Sequence, residues 1–269
     1  MSQDRSPLRV AVHHGAAEDA ASGGERLALV EELAAAARRA GAHLLLLPRL
    51  FASGRPRDVQ QARRCAELSD GPTARRLCAI AGTHGLGLAC GYVERCTGAL
   101  FDAVLFVDER GRAIANYRRV HLLPETDGGL FAPGQWLTLV PFRGRKLGLL
   151  CGIDVDGPEQ ARALALAGAD VLLVAGDQGA TAPDAVLPAR AAENGCALAF
   201  ANASAEPGAP PSCLVAPDGR VLAASSGGLA VADLPRLPPE QVTARHLVRR
   251  PRLYQRLVAP LPEEDGPRL

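Results

Sequence analysis

Gly41-Ala42-His43-Leu44-Leu45-Leu46-Leu47-Pro48-Arg49 is the stretch on which the reading of the fold turns. Four consecutive aliphatic residues followed by proline predict a short strand, His43 to Leu47, that stops at Pro48. Because the run does not alternate with polar residues, both faces of this strand must be covered by other layers. Upstream, Arg26 to Ala40 sets Leu27, Val30, Leu33, Ala34 and Ala37 at helical spacing and closes at Gly41, and Arg9 to His14 reads as a strand before it.

The same alternation of strand and helix continues outward, but hairpins interrupt it. Thr73 to His84 predicts a helix, Leu86 to Val93 and Ala99 to Val107 strands, and Asp108 to Arg112 a turn from which Ala113 to Tyr117 returns. Further on, Lys146 to Ile153 reads as a strand, Pro158 to Ala167 as a helix opened by proline, and Ala169 to Ala175 as a strand. Pro188 to Asn194 then predicts a helix, followed by strands at Ala197 to Ala201, Cys213 to Ala216, Val221 to Ala224 and Gly228 to Asp233. Helix-linked strands mixed with hairpins favour two stacked sheets with helices outside, an α/β sandwich, over a single Rossmann sheet.

Composition narrows the class of function. At 269 residues one domain is the expectation, 1–269, with 251–269 as a C-terminal arm. Thirty basic against twenty-nine acidic side chains give a net charge of +1, which argues against nucleic acid or a membrane surface as a partner held by bulk charge. Seven cysteines, an odd number, show no metal-ligand cadence, and Met1 to Arg5 is polar rather than the start of a signal peptide, so a cytoplasmic protein without metal or cofactor is expected. Apolar runs such as Val171 to Val174 are far shorter than the roughly 20 residues of a membrane span.

Several stretches together resemble the carbon-nitrogen hydrolase, or nitrilase, superfamily. They are Gly41 to Pro48, Gly91-Tyr92-Val93-Glu94-Arg95, Tyr117-Arg118-Arg119-Val120-His121-Leu122, Phe131-Ala132-Pro133-Gly134, Leu147 to Glu159, Arg190 to Gly195 and Arg250 to Tyr254. The resemblance implies a four-layer α-β-β-α sandwich, a small-molecule ligand and a homo-oligomer, dimer or higher. It also implies a glutamate, a lysine and a cysteine as general base, oxyanion stabiliser and nucleophile. At those three positions this chain reads Arg49, Arg119 and Gly152.

Each departure has a chemical consequence. Glycine has no group with which to attack a carbon, and a guanidinium offers only donors and stays charged, so Arg49 cannot act as a base. Arg119 keeps the positive charge of a lysine in a planar fork. Two arginines at the wall of a closed pocket need compensating anions. Either internal acids supply them, Glu125, Asp127 and Asp154 being candidates, or a ligand carboxylate or phosphate does.

The expected ligand-binding set is therefore Arg49, Arg119, Glu125, Gly152, Asp154 and Asp177. On this reading the chain is a pseudoenzyme, or it acts on a different, anionic small molecule. Two alternatives stand beside it: an active hydrolase using Cys151 with Glu125, and a structural or regulatory subunit of an active homologue. Cys151 itself, next to the elbow on an extended strand, is expected to point away from the pocket as a small buried side chain. His121 is expected to order its loop by hydrogen bonding.

Overall fold

A computed structural model describes residues 7–16, 22–127, 129–182, 185–204, 206–238, 240–242 and 248–258. The chain divides into two compact units, Met1–Leu237 and Pro238–Leu269. In the second unit Pro251–Val258 forms a 3-10 helix, and the remainder of the expected arm, 259–269, lies outside the described residues.

The first unit is built from β1 (Leu8–His14), α1 (Gly23–Arg39), β2 (Leu44–Leu46), α2 (Val59–Cys65), α3 (Pro72–His84), β3 (Gly87–Cys96), β4 (Ala99–Val107) and β5 (Ala113–Arg118). There follow α4 (Pro124–Asp127), β6 (Thr138–Phe142), β7 (Arg145–Cys151), α5 (Pro158–Leu166), β8 (Val171–Gly176), α6 (Val186–Asn194), β9 (Ala197–Asn202), β10 (Ser212–Val215), β11 (Val221–Ser225) and β12 (Gly228–Leu234). They make two six-stranded sheets, ordered β12-β1-β2-β3-β4-β5 and β11-β10-β9-β8-β7-β6.

Alternation along the strands explains the layers. Val10, Val12, Leu44, Leu46, Val104 and Phe106 of the first sheet meet Leu147, Leu149, Val171 and Leu173 of the second in one core between the sheets. The intervening residues Ala11, Leu45, Leu47, Leu88 and Leu105 face outward onto Val30, Ala34, Leu77 and Ile80 of α1 and α3. On the other side Leu150, Leu172 and Val174 pack against Ala161, Leu164 and Ala191 of α5 and α6. The four leucines at 44–47 are thus aliphatic because each face of their strand has a layer to bury against. The four-layer α-β-β-α sandwich expected from the sequence is the architecture found.

Three elements differ from the sequence reading. Thr138–Phe142 is a strand although it contains Pro141, which β6 tolerates because it is an edge strand. Val59–Cys65 is a helix, capped by the Asp58 carboxylate accepting from Gln61 N, in a stretch with too few apolar residues to show a period. The strand predicted to run to Ile153 ends at Cys151, because Gly152 adopts φ +55° and starts a 3-10 turn to Val155.

Parallel pairing of β1 with β2, and of β7 with β8 and β9, aligns the carboxyl ends of these strands. Ligands of open α/β sheets characteristically bind beyond such ends. Here they carry Arg49, Gly152, Asp177 and Gln178, and Gly15 N donates to Asn202 O across the two sheets at 2.9 Å.

Candidate functional site

The structure brings Arg49, Arg119 and Gly152 together. Arg49 leaves β2 after Pro48, Arg119 continues the inward face of β5 beyond Tyr117, and Gly152 follows β7. Arg49 and Arg119 are 8% and 2% exposed. A Cβ built on Gly152 would lie 3.0 Å from Arg119 Nε and 3.2 Å from its Cζ, so the guanidinium occupies the space onto which a side chain at 152 would open.

Both guanidiniums are met by acids of the chain itself. Arg49 Nε donates to Asp102 Oδ2 at 2.8 Å and Arg49 Nη1 to Asp177 Oδ2 at 3.2 Å. Arg119 holds Asp127 with two parallel bonds, Nη1 to Oδ1 at 2.9 Å and Nη2 to Oδ2 at 3.0 Å, and its Nη1 reaches Asp102 Oδ2 at 3.3 Å. Arg49 Nη2 lies 3.7 Å from Asp127 Oδ1, and Arg55 Nη1 adds a 2.9 Å contact to Asp177 Oδ2. Two buried guanidiniums therefore face three carboxylates, with Arg55 supplying the further positive charge. The fork-to-fork geometry of Arg119 with Asp127 is the strongest form such a pair takes.

Electrostatics follow from this arrangement. Burial works against the charge on Arg49, but Asp102, the Cys151 thiol, Asp177 and Asp127 outweigh it and hold its pKa above the ordinary value. Burial raises the pKa of Asp177 above the usual carboxylate range despite Arg49 and Arg55. Arg119 Nε is buried and has no hydrogen-bond partner among the described residues.

Of the acids proposed from the sequence, Asp127 and Asp177 belong to this network and Asp154 does not. Asp154 is fully buried and holds the elbow: it accepts from Tyr117 Oη at 2.6 Å, His121 N at 2.9 Å and Cys151 N at 3.2 Å, and its Oδ1 lies 2.9 Å from His121 Nδ1. His121 thus orders its loop through Asp154. The side chain of Glu125 lies outside the described residues. Gln178 donates from Nε2 to Gly152 O at 2.9 Å, which fixes the far side of the turn.

Asp102, absent from the sequence reading, is the centre of the network. It is 1% exposed and shares the inward register of β4 with Val104 and Phe106. An acid at an inward position of a strand whose neighbours are all apolar requires a cation opposite it, and that was the available signal.

Cys151 corrects an expectation. Its side chain does not point away from the site: it is fully buried, lies on the inward face of β7 with Leu147 and Leu149, and its Sγ donates to Asp102 Oδ1 at 3.5 Å. The left-handed backbone at Gly152 interrupts the strand alternation, so residues 151 and 152 both face the charged cluster. Burial, then Asp102, push the Cys151 thiol well above its ordinary pKa, against the pull of Arg49 and Arg119.

Beside the site, His13 packs edge-on against Phe51 with ring centroids 5.4 Å apart, and its Nδ1 is buried without a partner among the described residues. Burial, then the neighbouring His14, lower its pKa to about 4. Below a pH of about 6.5 the unfolded chain takes up a proton at this residue that the folded chain refuses until about pH 4. Stability is expected to fall across that window by on the order of 2 kcal/mol from His13 alone. Urea unfolding at pH 7, 5.5 and 4.5 checks it, and His13→Gln must flatten the slope.

No helix among the described residues is long and apolar enough to cross a membrane. Among the same residues no cluster of three His, Cys, Asp or Glu side chains is arranged to hold a metal ion.

A carbon-nitrogen hydrolase family profile matches residues 9–236. The "Hydrolase in pqqF 5'region" of Pseudomonas protegens is 37% identical over 235 residues, 80% of this chain and 81% of that protein. An (R)-stereoselective amidase of Pseudomonas sp is 34% identical over 131 residues, 49% of this chain and 47% of that protein. Among solved structures, an amidase from Nesterenkonia sp. AN1 superposes with a TM-score of 0.78 at 29% identity, covering 93% of this chain and 100% of that one. Another structure of that amidase shows covalent addition of the acetamide moiety of fluoroacetamide at the active site cysteine, with a TM-score of 0.77 at 28% identity, covering 95% and 98%.

Proposed function

Because the chain belongs to the carbon-nitrogen hydrolase family, we propose that it keeps the family fold while lacking the thiol-based hydrolysis, and works as a pseudoenzyme rather than as an amidase. The observation that carries this reading is Gly152. It stands at the turn after β7 with φ +55°, and Arg119 lies 3.0 Å from where its Cβ would be. An amidase of this fold carries an active site cysteine, and a covalent intermediate needs a nucleophile that glycine does not have. Arg49 adds to the case: a guanidinium bonded to Asp102 and Asp177 has neither a lone pair for a proton nor freedom to release one.

The charged groups that stand where chemistry would occur satisfy one another. Asp102, Asp127 and Asp177 meet the arginines directly, which favours an internal network over a ligand anion between Arg49 and Arg119. Such a network holds the two sheets at this end in register without needing a substrate.

A second reading, hydrolysis by Cys151, is favoured by one observation, the position of its Sγ beside Asp102. Its burial and raised pKa oppose it, since the thiolate is the reactive form. A panel of aliphatic amides, nitriles and N-carbamoyl amines, assayed by ammonia release, is expected to give no turnover above buffer. Turnover that disappears in Cys151→Ala would establish the second reading and overturn the first. In parallel, iodoacetamide is expected to leave the Cys151 peptide unmodified in the folded protein while the half-buried Cys96 reacts.

A further inference from the structure

A second cluster of arginines lies away from the buried network, and its charges are not spent in the same way. A cavity of about 420 Å³ is lined by Arg26 of α1, Arg55 and Arg57 of the loop after β2, and Arg64 of α2. Among the described residues one carboxylate, Glu67, lines it. That carboxylate already accepts from Thr73 N at 2.6 Å in the first turn of α3. Gly23, in the first turn of the seventeen-residue α1, adds the positive end of a helix to the same wall.

The cavity is built rather than incidental. Arg26 Nη1 donates to Ser53 O at 3.3 Å, and its guanidinium lies so close over Gly54 that a Cβ there would come within 2.5 Å of Nη2. Gly54 itself has φ +73°, so both its backbone and the arginine above it require glycine. The loop is anchored by Val93 N donating to Ser53 Oγ at 3.1 Å and by Arg57 N donating to Gln61 Oε1 at 2.8 Å. Arg55 is set by Asp177 at 2.9 Å. Guanidiniums fixed in advance lose little freedom on binding, which is what makes an arginine cluster a site rather than a solvated face.

We propose that this cavity is a binding site for a small molecule bearing a phosphoryl group, whose multiply charged oxyanion is held by Arg26 and Arg64 with Arg55 and Arg57 at its rim. Planar forks match phosphate oxygens two at a time, and the excess of positive charge in the wall calls for a dianion rather than a singly charged acid. The site is distinct from the Arg49 and Arg119 network and stands or falls independently of whether the chain hydrolyses anything.

Inorganic pyrophosphate is the probe, titrated calorimetrically into the full chain at low ionic strength. Saturable binding at one site per chain is expected, with acetate failing to compete. Arg64→Gln, at an exposed helix position that leaves the fold intact, is expected to weaken binding roughly tenfold, and Arg26→Gln with Arg64→Gln roughly a hundredfold. The charge-matched control Arg38→Gln with Arg39→Gln, in the last turn of α1, is expected to change affinity less than about threefold. Absence of saturable heat up to roughly 5 mM, or equal losses in the control and the cavity variants, would overturn the proposal.

Discussion

Asp102→Asn is expected to destabilise the fold by about 3–5 kcal/mol, the largest stability loss of any conservative substitution in the chain. The asparagine keeps the shape of the side chain, so packing on the inward face of β4 is unchanged and the effect isolates one charge. That charge serves three donors: Arg49 Nε at 2.8 Å, Arg119 Nη1 at 3.3 Å and Cys151 Sγ at 3.5 Å. Without it, two guanidiniums of 8% and 2% exposure are left to Asp127 and Asp177. Removing one partner of a buried pair costs more than the pair contributes, because the survivor remains buried and charged. At roughly 2–4 °C per kcal/mol for a chain of this size, the melting midpoint should fall by at least about 6 °C. Thermal and urea unfolding of Asp102→Asn read the loss directly, and the paired change Arg49→Met with Asp102→Leu should cost distinctly less. An Asp102→Asn protein as stable as the parent would mean that the network is solvated and relaxed, and that the cluster does not lock the sheets.

The reason this centre was hidden in the sequence is instructive. The layers were legible, because four leucines at 44–47 without alternation demand cover on both faces and the hairpins demand a second sheet. The positions of Arg49, Arg119 and Gly152 were legible too, since each sits in a stretch whose neighbours resemble one family. The partners of the arginines were only partly so. Asp127 lies eight residues from Arg119 and joins it through the short α4, whereas Asp102 and Asp177 are 53 and 128 residues from Arg49 and reach it only when two sheets stack. Cys151 failed for a local reason: strand alternation was counted correctly, but one left-handed residue after it turns the next side-chain direction onto the same side. A glycine whose φ is positive breaks the parity on which such reasoning rests.

Gly152→Cys alone is expected to leave amide hydrolysis at background. The substituted thiol would stand beside Arg119, whose charge favours a thiolate, yet no group nearby could take a proton from water or return one to the leaving amine while position 49 is arginine. Arg49→Glu restores an acceptor but places it about 3 Å from where Arg49 now bonds Asp102, and two carboxylates at that separation cannot both ionise. Asp102→Asn must therefore accompany it. Arg119→Lys clears the guanidinium from the space that a Cβ at 152 enters at 3.0 Å while keeping a positive charge for an oxyanion. The φ of +55° at 152 imposes a further strain on any residue other than glycine, of about 1–3 kcal/mol, so the four changes should fold less stably than the parent. The combined variant is nonetheless expected to release ammonia from simple amides at least about 100-fold faster than Gly152→Cys, the scale of a positioned acid-base group. Steady-state ammonia release from the two variants, each checked for folding by circular dichroism, decides it. Equal rates would show that the arginine at 49 is no obstacle to the chemistry, and the pseudoenzyme reading would then rest on glycine alone.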